Sequence, residues 1–573
     1  MGKVKAATAP DHLTLDLFAA GMSLLHRAGL GGLACTLKAM ERQYEAGTLA
    51  ASKLPAAFDG DTPPWEISNQ SVTLRFGKPE NAGAYLKRLF AFAFQVKDGL
   101  IYLPGQYGDV PPSFVVLAAI QDGIQNTFLQ HGPTCGSRSG ERMVTVEINE
   151  TPMSVTHDVF TSYKHQGWFW LDRDERSKEK DPKTGKKPKT GRRLQNHQEF
   201  PAVNEDGELS GAQHEIDNKL SPGGIVRHDR YKESAACETD GGLICLHFAM
   251  IGCLTLSVNR VTAVLLIPEI TDLFTFVETR SFFTPQNAQQ CRIAGAADAA
   301  LQAQVRVRAR QTASGFAAPS CHAITCKPTQ WNKKQKPRVA TIDVSSANAI
   351  VLDRFERALS QLAPRLVQPN PSAEKSGRPT KAKKQEPFWS DSVVRPMIAE
   401  NLALARKWYA GFVTLMTKLN PTTRKPYRNQ LPFERKGLYA MISDPKMWDQ
   451  EGERLVVQAV HEAIRQTLGR IREETDGKAA KTLSQATKNR WQRFREKLRL
   501  DLSGGKTSAH VRFALMDLFS RGGSNSVLQG EWAKVLPVLR ADWQLARDLG
   551  LLALASYASK GESDDTDSTE ATP

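Results

Sequence analysis

From about Val393 to about Tyr557 the chain carries amphipathic stripes one after another, and this succession constrains the fold more than any other feature. Met397, Asn401, Leu404, Trp408, Phe412, Leu415 and Leu419 follow at steps of three and four, with only Asn401 polar. Leu455 to Ile471 holds a second stripe of Val456, Val460, Ile464, Leu468 and Ile471. A third is Leu483, Trp491, Phe494, Leu498 and Leu502. Val511, Leu515, Leu518 and Phe519 make a fourth, and Trp532, Leu536, Leu539 and Trp543 a fifth. Leu545 to Tyr557 is apolar almost all round. Each stripe buries one face, so the series predicts a helix bundle.

The third helix is also basic. At about 100° per residue, Arg490, Arg493 and Lys497 fall in one row beside its apolar face. Lys488, Arg495 and Arg499 form a second row on the other flank. Such rows read either as a solvated charged face or as ridges that track a phosphate backbone.

A chain of 573 residues predicts about two to four domains. The net charge of +15 calls for an anionic partner, nucleic acid or an acidic surface. The eight cysteines show no framework spacing, and Cys245 and Cys253 lie inside an apolar run, as buried thiols do. Cys321, His322 and Cys326 lack a second half at zinc spacing. The first apolar segment, Leu13 to Leu25, contains Asp16 and has no cleavage-type end. Leu243 to Val258 is shorter than the roughly 20 residues of a membrane span. These signals predict a reduced, cytoplasmic protein.

Along the chain, Leu13 to Met40 reads as one or two helices broken at Gly29, Gly31 and Gly32. The G-x-G-x-x-A match at Gly29, Gly31 and Ala34 lacks the preceding strand that a dinucleotide loop needs. Trp65 to Phe76, Leu100 to Leu103, Met143 to Ile148 and Val155 to Trp170 have strand character; Ala82 to Phe94 and Pro112 to His131 read as helices. Between Asp172 and Arg230 apolar residues nearly vanish. Lys178, Lys180, Lys183, Lys186, Lys187, Lys189, Arg192 and Arg193 face only Glu179 and Asp181 there, with Gly185, Pro188 and Gly191 opposing helix. This is an exposed basic insertion suited to phosphates. Leu243 to Leu256 and Val261 to Ile267 suit buried strands, although the first also fits a helix. Ala296 to Arg310 and Val351 to Leu366 are helical, and Lys333, Lys334, Lys336 and Arg338 add a basic stretch between them. Asn370 to Gln385 reads as the linker into the bundle, and the tail after Gly561 has five acids and no base.

Catalytic signals fail on inspection. His461-Glu462 begins H-E-x-x-H, but position 465 is Arg465. Gly504-Gly505-Lys506-Thr507 imitates a phosphate loop, yet the first Walker glycine would fall on Leu500; Thr507 or Ser508 reads as a helix N-cap. His157-Asp158 stands alone. The chain reads as a non-enzyme with no cofactor and no metal.

Three segments, Leu24 to Leu33, Val264 to Leu273 and Ala541 to Leu549, together with the Trp408-Tyr409-Ala410-Gly411-Phe412 step, resemble the large subunit of type I CRISPR interference complexes (Cascade), in the divergent MYXAN-type branch. The resemblance runs from about His12 to Tyr557. It implies an N-terminal α/β domain and a C-terminal helical bundle, placed at the crRNA 5′ end of an effector complex. It also implies reading of a protospacer-adjacent motif on duplex DNA, help with unwinding, guidance of the displaced strand, and presentation of the R-loop to a separate helicase-nuclease. Backbone and crRNA-end subunits would be partners, and relatives that start the bundle internally as a small subunit make Met397 a candidate start.

The expected architecture is therefore α+β: an N-terminal α/β domain over 1–290 with a basic insertion at about 172–232, a mixed connecting region 291–390 with a Pro/Lys-rich linker 370–387, a helical bundle 391–560, and an acidic tail 561–573. The residues expected on nucleic acid are Lys183, Lys186, Lys187, Lys189, Arg192, Arg193, Lys333, Lys334, Lys336, Lys488, Arg490, Arg493, Arg495, Lys497 and Arg499. Two competing classes are a stand-alone nucleic-acid-binding regulator and a nuclease built from dispersed carboxylates.

Overall fold

The structure, a computed structural model, describes residues 10–56, 62–108, 110–127, 129, 138–148, 151–160, 202–204, 206–211, 213–216, 236–259, 262–310, 320–326, 340–367, 388–420, 424–477 and 482–558. The chain divides into two compact units, Met1–Ala347 and Asn348–Pro573. The first mixes helices with small antiparallel sheets; the second is helical apart from one short strand pair, so the fold is α+β.

In the first unit β1 (His12–Asp16) leads into α1 (Leu24–Glu45). There follow β2 (Trp65–Ile67), β3 (Ser71–Arg75), α2 (Ala82–Ala93), β4 (Gln95–Lys97), β5 (Leu100–Tyr102) and α3 (Phe114–Gln125). Next come β6 (Arg138–Ile148), β7 (Thr151–Phe160), β8 (Gln213–Ile216), β9 (Ala236–Thr239), α4 (Asp240–Gly252), β10 (Leu254–Asn259) and β11 (Thr262–Pro268). The unit closes with α5 (Leu273–Phe283), α6 (Ala296–Arg310), β12 (Cys321–Cys326) and β13 (Ala340–Val344). β1, β3 and β2 form one antiparallel sheet in that order, and β10 to β13 a four-stranded meander whose face α6 covers.

The core of this unit is the crossing of α1 and α4. The glycines expected to break α1 lie inside one continuous helix, because they are contact points rather than turns. A Cβ on Gly29 would overlap the Cys245 carbonyl, and one on Gly252 the Ala28 carbonyl. The backbones touch, which only glycine permits. A strand, β1, does precede this run, yet glycines in the middle of a buried helix cannot cradle a phosphate. Leu243 to Leu256 is a helix and then a strand, not one strand; α4 is buried on every side, so it shows no amphipathic period. The carbonyls at its C-terminal end meet the fully buried Arg280 of α5, which donates to Ile251 O (2.9 Å), Cys253 O (2.7 Å) and Thr284 Oγ1 (3.1 Å). A cation at that end also complements the helix dipole.

The second unit begins with α7 (Ala349–Gln361), shorter than expected because the chain turns into β14 (Arg365–Val367). β14 pairs with β15 (Phe388–Ser390), so the predicted linker, outside the described residues, connects two paired strands. Then come α8 (Arg395–Ala403), α9 (Val413–Thr417), α10 (Leu431–Ser443), α11 (Glu451–Asp476), α12 (Gln485–Ser503), α13 (Ser508–Gly522), α14 (Ser526–Ala541) and α15 (Trp543–Ser556). The predicted first bundle helix is two helices, α8 and α9. The chain leaves the helix at Ala405, whose φ is +52°, and the Asn401 amide donates to Trp408 O (3.1 Å) and Ala410 O (2.7 Å) across the gap. In α14 the buried residues are Val535 and Leu539, while Trp532 is partly exposed. Met397 sits two positions inside α8, downstream of Ser392 and the fully buried Arg395 that anchor this helix.

α11 is the axis of the bundle, with Val456, Val460, Ile464 and Leu468 buried against α13, α14 and α15. His461 faces α15, donates from Nε2 toward Ala553 O (3.0 Å), and packs between Tyr439 and Tyr557. Glu462 accepts from Ser526 Oγ (2.9 Å) and the Val527 amide (3.4 Å) at the start of α14. The His-Glu pair thus serves helix packing. Thr507 caps α13 through the His510 amide, which gives the Gly504-Thr507 segment its role.

Two measurements follow from these contacts. Gly252→Ala pushes a methyl into the Ala28 carbonyl and lowers thermal stability by upwards of about 2 kcal/mol, whereas Gly469→Ala, on an open helix surface, raises it by about 0.5–1 kcal/mol. Burial pushes the His461 imidazole down to about 4. The unfolded chain takes up that proton near pH 6.5 and the folded chain does not, so stability is full above that value and falls as pH drops toward 4. By pH 5 the loss is about 2 kcal/mol, and denaturant titrations of His461→Gln lack this component.

Candidate nucleic-acid interface

A single residue accounts for how the basic helix is set. Arg499 sits about 60° from Leu502, the near edge of the apolar side of α12 on the helical wheel, and packing buries it. Its guanidinium forks onto Glu496 (2.9 and 2.6 Å) and donates to Met416 O (3.1 Å) in α9. The fork holds the Glu496 carboxyl below the usual carboxylate range. Trp491, on the same side, is fixed by its indole bond to Leu468 O (3.0 Å) in α11. With these two side chains seated, the rest of α12 faces an open groove of about 1320 Å³.

The groove has three walls. α12 supplies Lys488, Arg493, Arg495, Lys497 and Leu500, beside the Arg499–Glu496 pair and Asp501. Arg428 and Arg435 come from the turn before α10 and from α10 itself, with Leu431 and Pro432 between them. Leu554 and Ala555, at the end of α15, close it. Besides the mutually paired Arg499 and Glu496, six cationic side chains and one carboxylate, Asp501, line the groove. Leu500, 53% exposed, adds an apolar spot on the floor. This arrangement suits a polyanion lying along α12. Lys488 to Lys497 spans about 14 Å of helix, and Lys488, Arg493 and Lys497 are exposed to solvent.

Of the six α12 residues read from the sequence, Lys488, Arg493, Arg495, Lys497 and Arg499 line this groove. Arg490 points to the end of α11, pairing with Glu474 (2.9 Å) and Thr475 (2.7 Å). Lys183, Lys186, Lys187, Lys189, Arg192 and Arg193, like Lys333, Lys334 and Lys336, lie outside the described residues. The opposite wall went unread. Arg428 and Arg435 stand seven residues apart around Leu431, and Leu438, Met441 and Ile442 give the period that marks α10. Among the described residues no cluster of three or more His, Cys, Asp or Glu side chains has metal-binding geometry, and no helix is long and apolar enough to cross a membrane. Cys35, Cys237, Cys245, Cys253, Cys291, Cys321 and Cys326 are free thiols.

Comparison with known proteins agrees with this architecture. The DevT N-terminal domain family matches residues 14–247, and the DevT C-terminal domain family residues 444–573. The CRISPR-associated protein Cas8a1/Csx13 of Myxococcus xanthus (strain DK1622) is 33% identical over 586 aligned positions, which cover 97% of this chain and 90% of that protein. At that identity, and over nearly the whole of both chains, the chain belongs to the Cas8a1/Csx13 family of CRISPR-associated proteins, the type I large subunits that its sequence resembles.

Proposed function

We propose that this protein is the non-catalytic large subunit of a crRNA-guided type I surveillance complex, where it reads the protospacer-adjacent motif on duplex DNA, helps to open the duplex and steadies the R-loop. The family membership carries this reading, and the groove of α12 supports it with a surface for a phosphate backbone. Guide pairing supplies the sequence specificity, so the protein's task is to hold backbones and read a short motif. The basic insertion around Lys183, Lys186, Lys187, Lys189, Arg192 and Arg193 is the second DNA contact. Partners are crRNA, target duplex, displaced strand, backbone and crRNA-end subunits, and a helicase-nuclease or transposition factor that acts on the R-loop, all in the cytoplasm. A small subunit starting at Met397 would lack the Ser392 hydroxyl and the Val393 and Val394 amides that donate to the buried Glu434 carboxylate.

Recovery of the tagged protein from its host tests the assignment. Short repeat-derived guide RNAs with backbone subunits are the expected co-purifying species, and recovery of the chain alone or with mixed RNA restores the stand-alone regulator. Within the assembled complex, Arg428→Ala, Arg493→Ala and Lys497→Ala together reduce the salt slope of target binding by about 2 if they hold single strand. Lys186→Ala, Lys187→Ala, Arg192→Ala and Arg193→Ala reduce it by about 3 to 4 if they hold duplex. Slopes equal to the wild type would remove either surface from the binding site.

A further inference from the structure

The basic groove lies at the end of the described chain. Leu554 and Ala555 form one of its walls, and the described residues stop at Ala558. Beyond that point the sequence continues as Ser559 to Pro573, with Glu562, Asp564, Asp565, Asp567 and Glu570 and only Lys560 of opposite charge. We propose that this acidic tail seats in the groove along α12, where its carboxylates occupy the positions of phosphates. The proposal rests on the reading of the groove as a polyanion site.

Three observations converge on this occupant. The first is charge: besides the Arg499–Glu496 pair the groove is lined by six cationic side chains, and the tail brings five carboxylates. The second is reach. Glu562 is four residues past Ala558 and Glu570 twelve, which extended chain covers in about 14 and 40 Å. The row from Lys488 to Lys497 needs only about 14 Å. The third is tethering: a segment joined to the groove wall through so short a connection acts at a millimolar effective concentration, so weak, salt-screened ion pairs suffice to hold it. A seated tail shields the groove from stray nucleic acid. A guide-bound target strand, with a charge on every nucleotide, displaces it.

The test uses the full-length protein at low salt. Carbodiimide, which joins a carboxylate to an amine as an amide without a spacer, is expected to link the tail to Lys488 and Lys497, read by mass spectrometry of the digested chain. Links absent, or spread evenly over lysines elsewhere, overturn the proposal. In parallel, binding of a fluorescein-labelled oligo(dT) is followed for a chain lacking residues 561–573 and for a chain with Glu562→Gln, Asp564→Asn, Asp565→Asn, Asp567→Asn and Glu570→Gln. Both bind about fivefold more tightly than the wild type at low salt. In an Arg493→Ala, Lys497→Ala background the tail changes have no effect. A tail effect that persists in this background assigns the acids to another surface and overturns the seating. Tail links to Lys488 and Lys497 without any change in oligo(dT) affinity support the seating and instead refute nucleic acid as a ligand of the groove.

Discussion

The ends of helices impose the constraint on which the rest of this structure depends. Each helix leaves four amides at its start and four carbonyls at its finish without partners inside the helix. Here, buried charged side chains from distant elements meet several of those groups. Arg280 receives the last carbonyls of α4. Glu434 of α10 accepts from Ser392 Oγ (2.5 Å) and the Val393 amide (2.7 Å) at the start of α8. Asp548 of α15 accepts from Gly411 (2.7 Å) and Val413 (3.1 Å) where α9 begins. Burial raises both carboxyls above the usual range, against the pull of the amides. These bonds fix which helix end meets which helix. Apolar stripes alone allow sliding and rotation; a carboxylate on two amides does not.

What the sequence made legible follows from periodicity. The stripes of α11, α12 and α13 have one wet face, and they emerge as helices close to where they were expected. Periodicity misleads where that asymmetry is missing. α4 is buried all round and reads equally well as strand. α8 and α9 share a helical spacing because both face the same core, but the backbone between them passes through Ala405 and Gly411 at positive φ. The glycines of α1 look like breaks because sequence alone does not show which backbone lies against them.

The groove divides along the same line. The α12 half was visible as two basic rows on a single helix, and the groove draws on both of them. Arg428 and Arg435 join them only through tertiary packing, and the burial of Arg499 depends on α9 arriving at its side. Function was legible for a different reason. It lies in likeness over the whole length, and 33% identity to the Myxococcus xanthus protein shows the family.

Charge is therefore arranged here as well as accumulated. The net excess of +15 already includes the five negative charges of the tail, so the rest of the chain is more basic than the total suggests. A surface that binds phosphate backbones without reading sequence attracts any nucleic acid at low salt, and affinity of that kind is costly in a cell full of RNA. A subunit whose partner is one assembled target needs that attraction in the complex and not before. On the proposed seating, the acidic tail supplies the difference. It lowers the field seen by a weak, sparse ligand and yields to one that is held in place by guide pairing and neighbouring subunits.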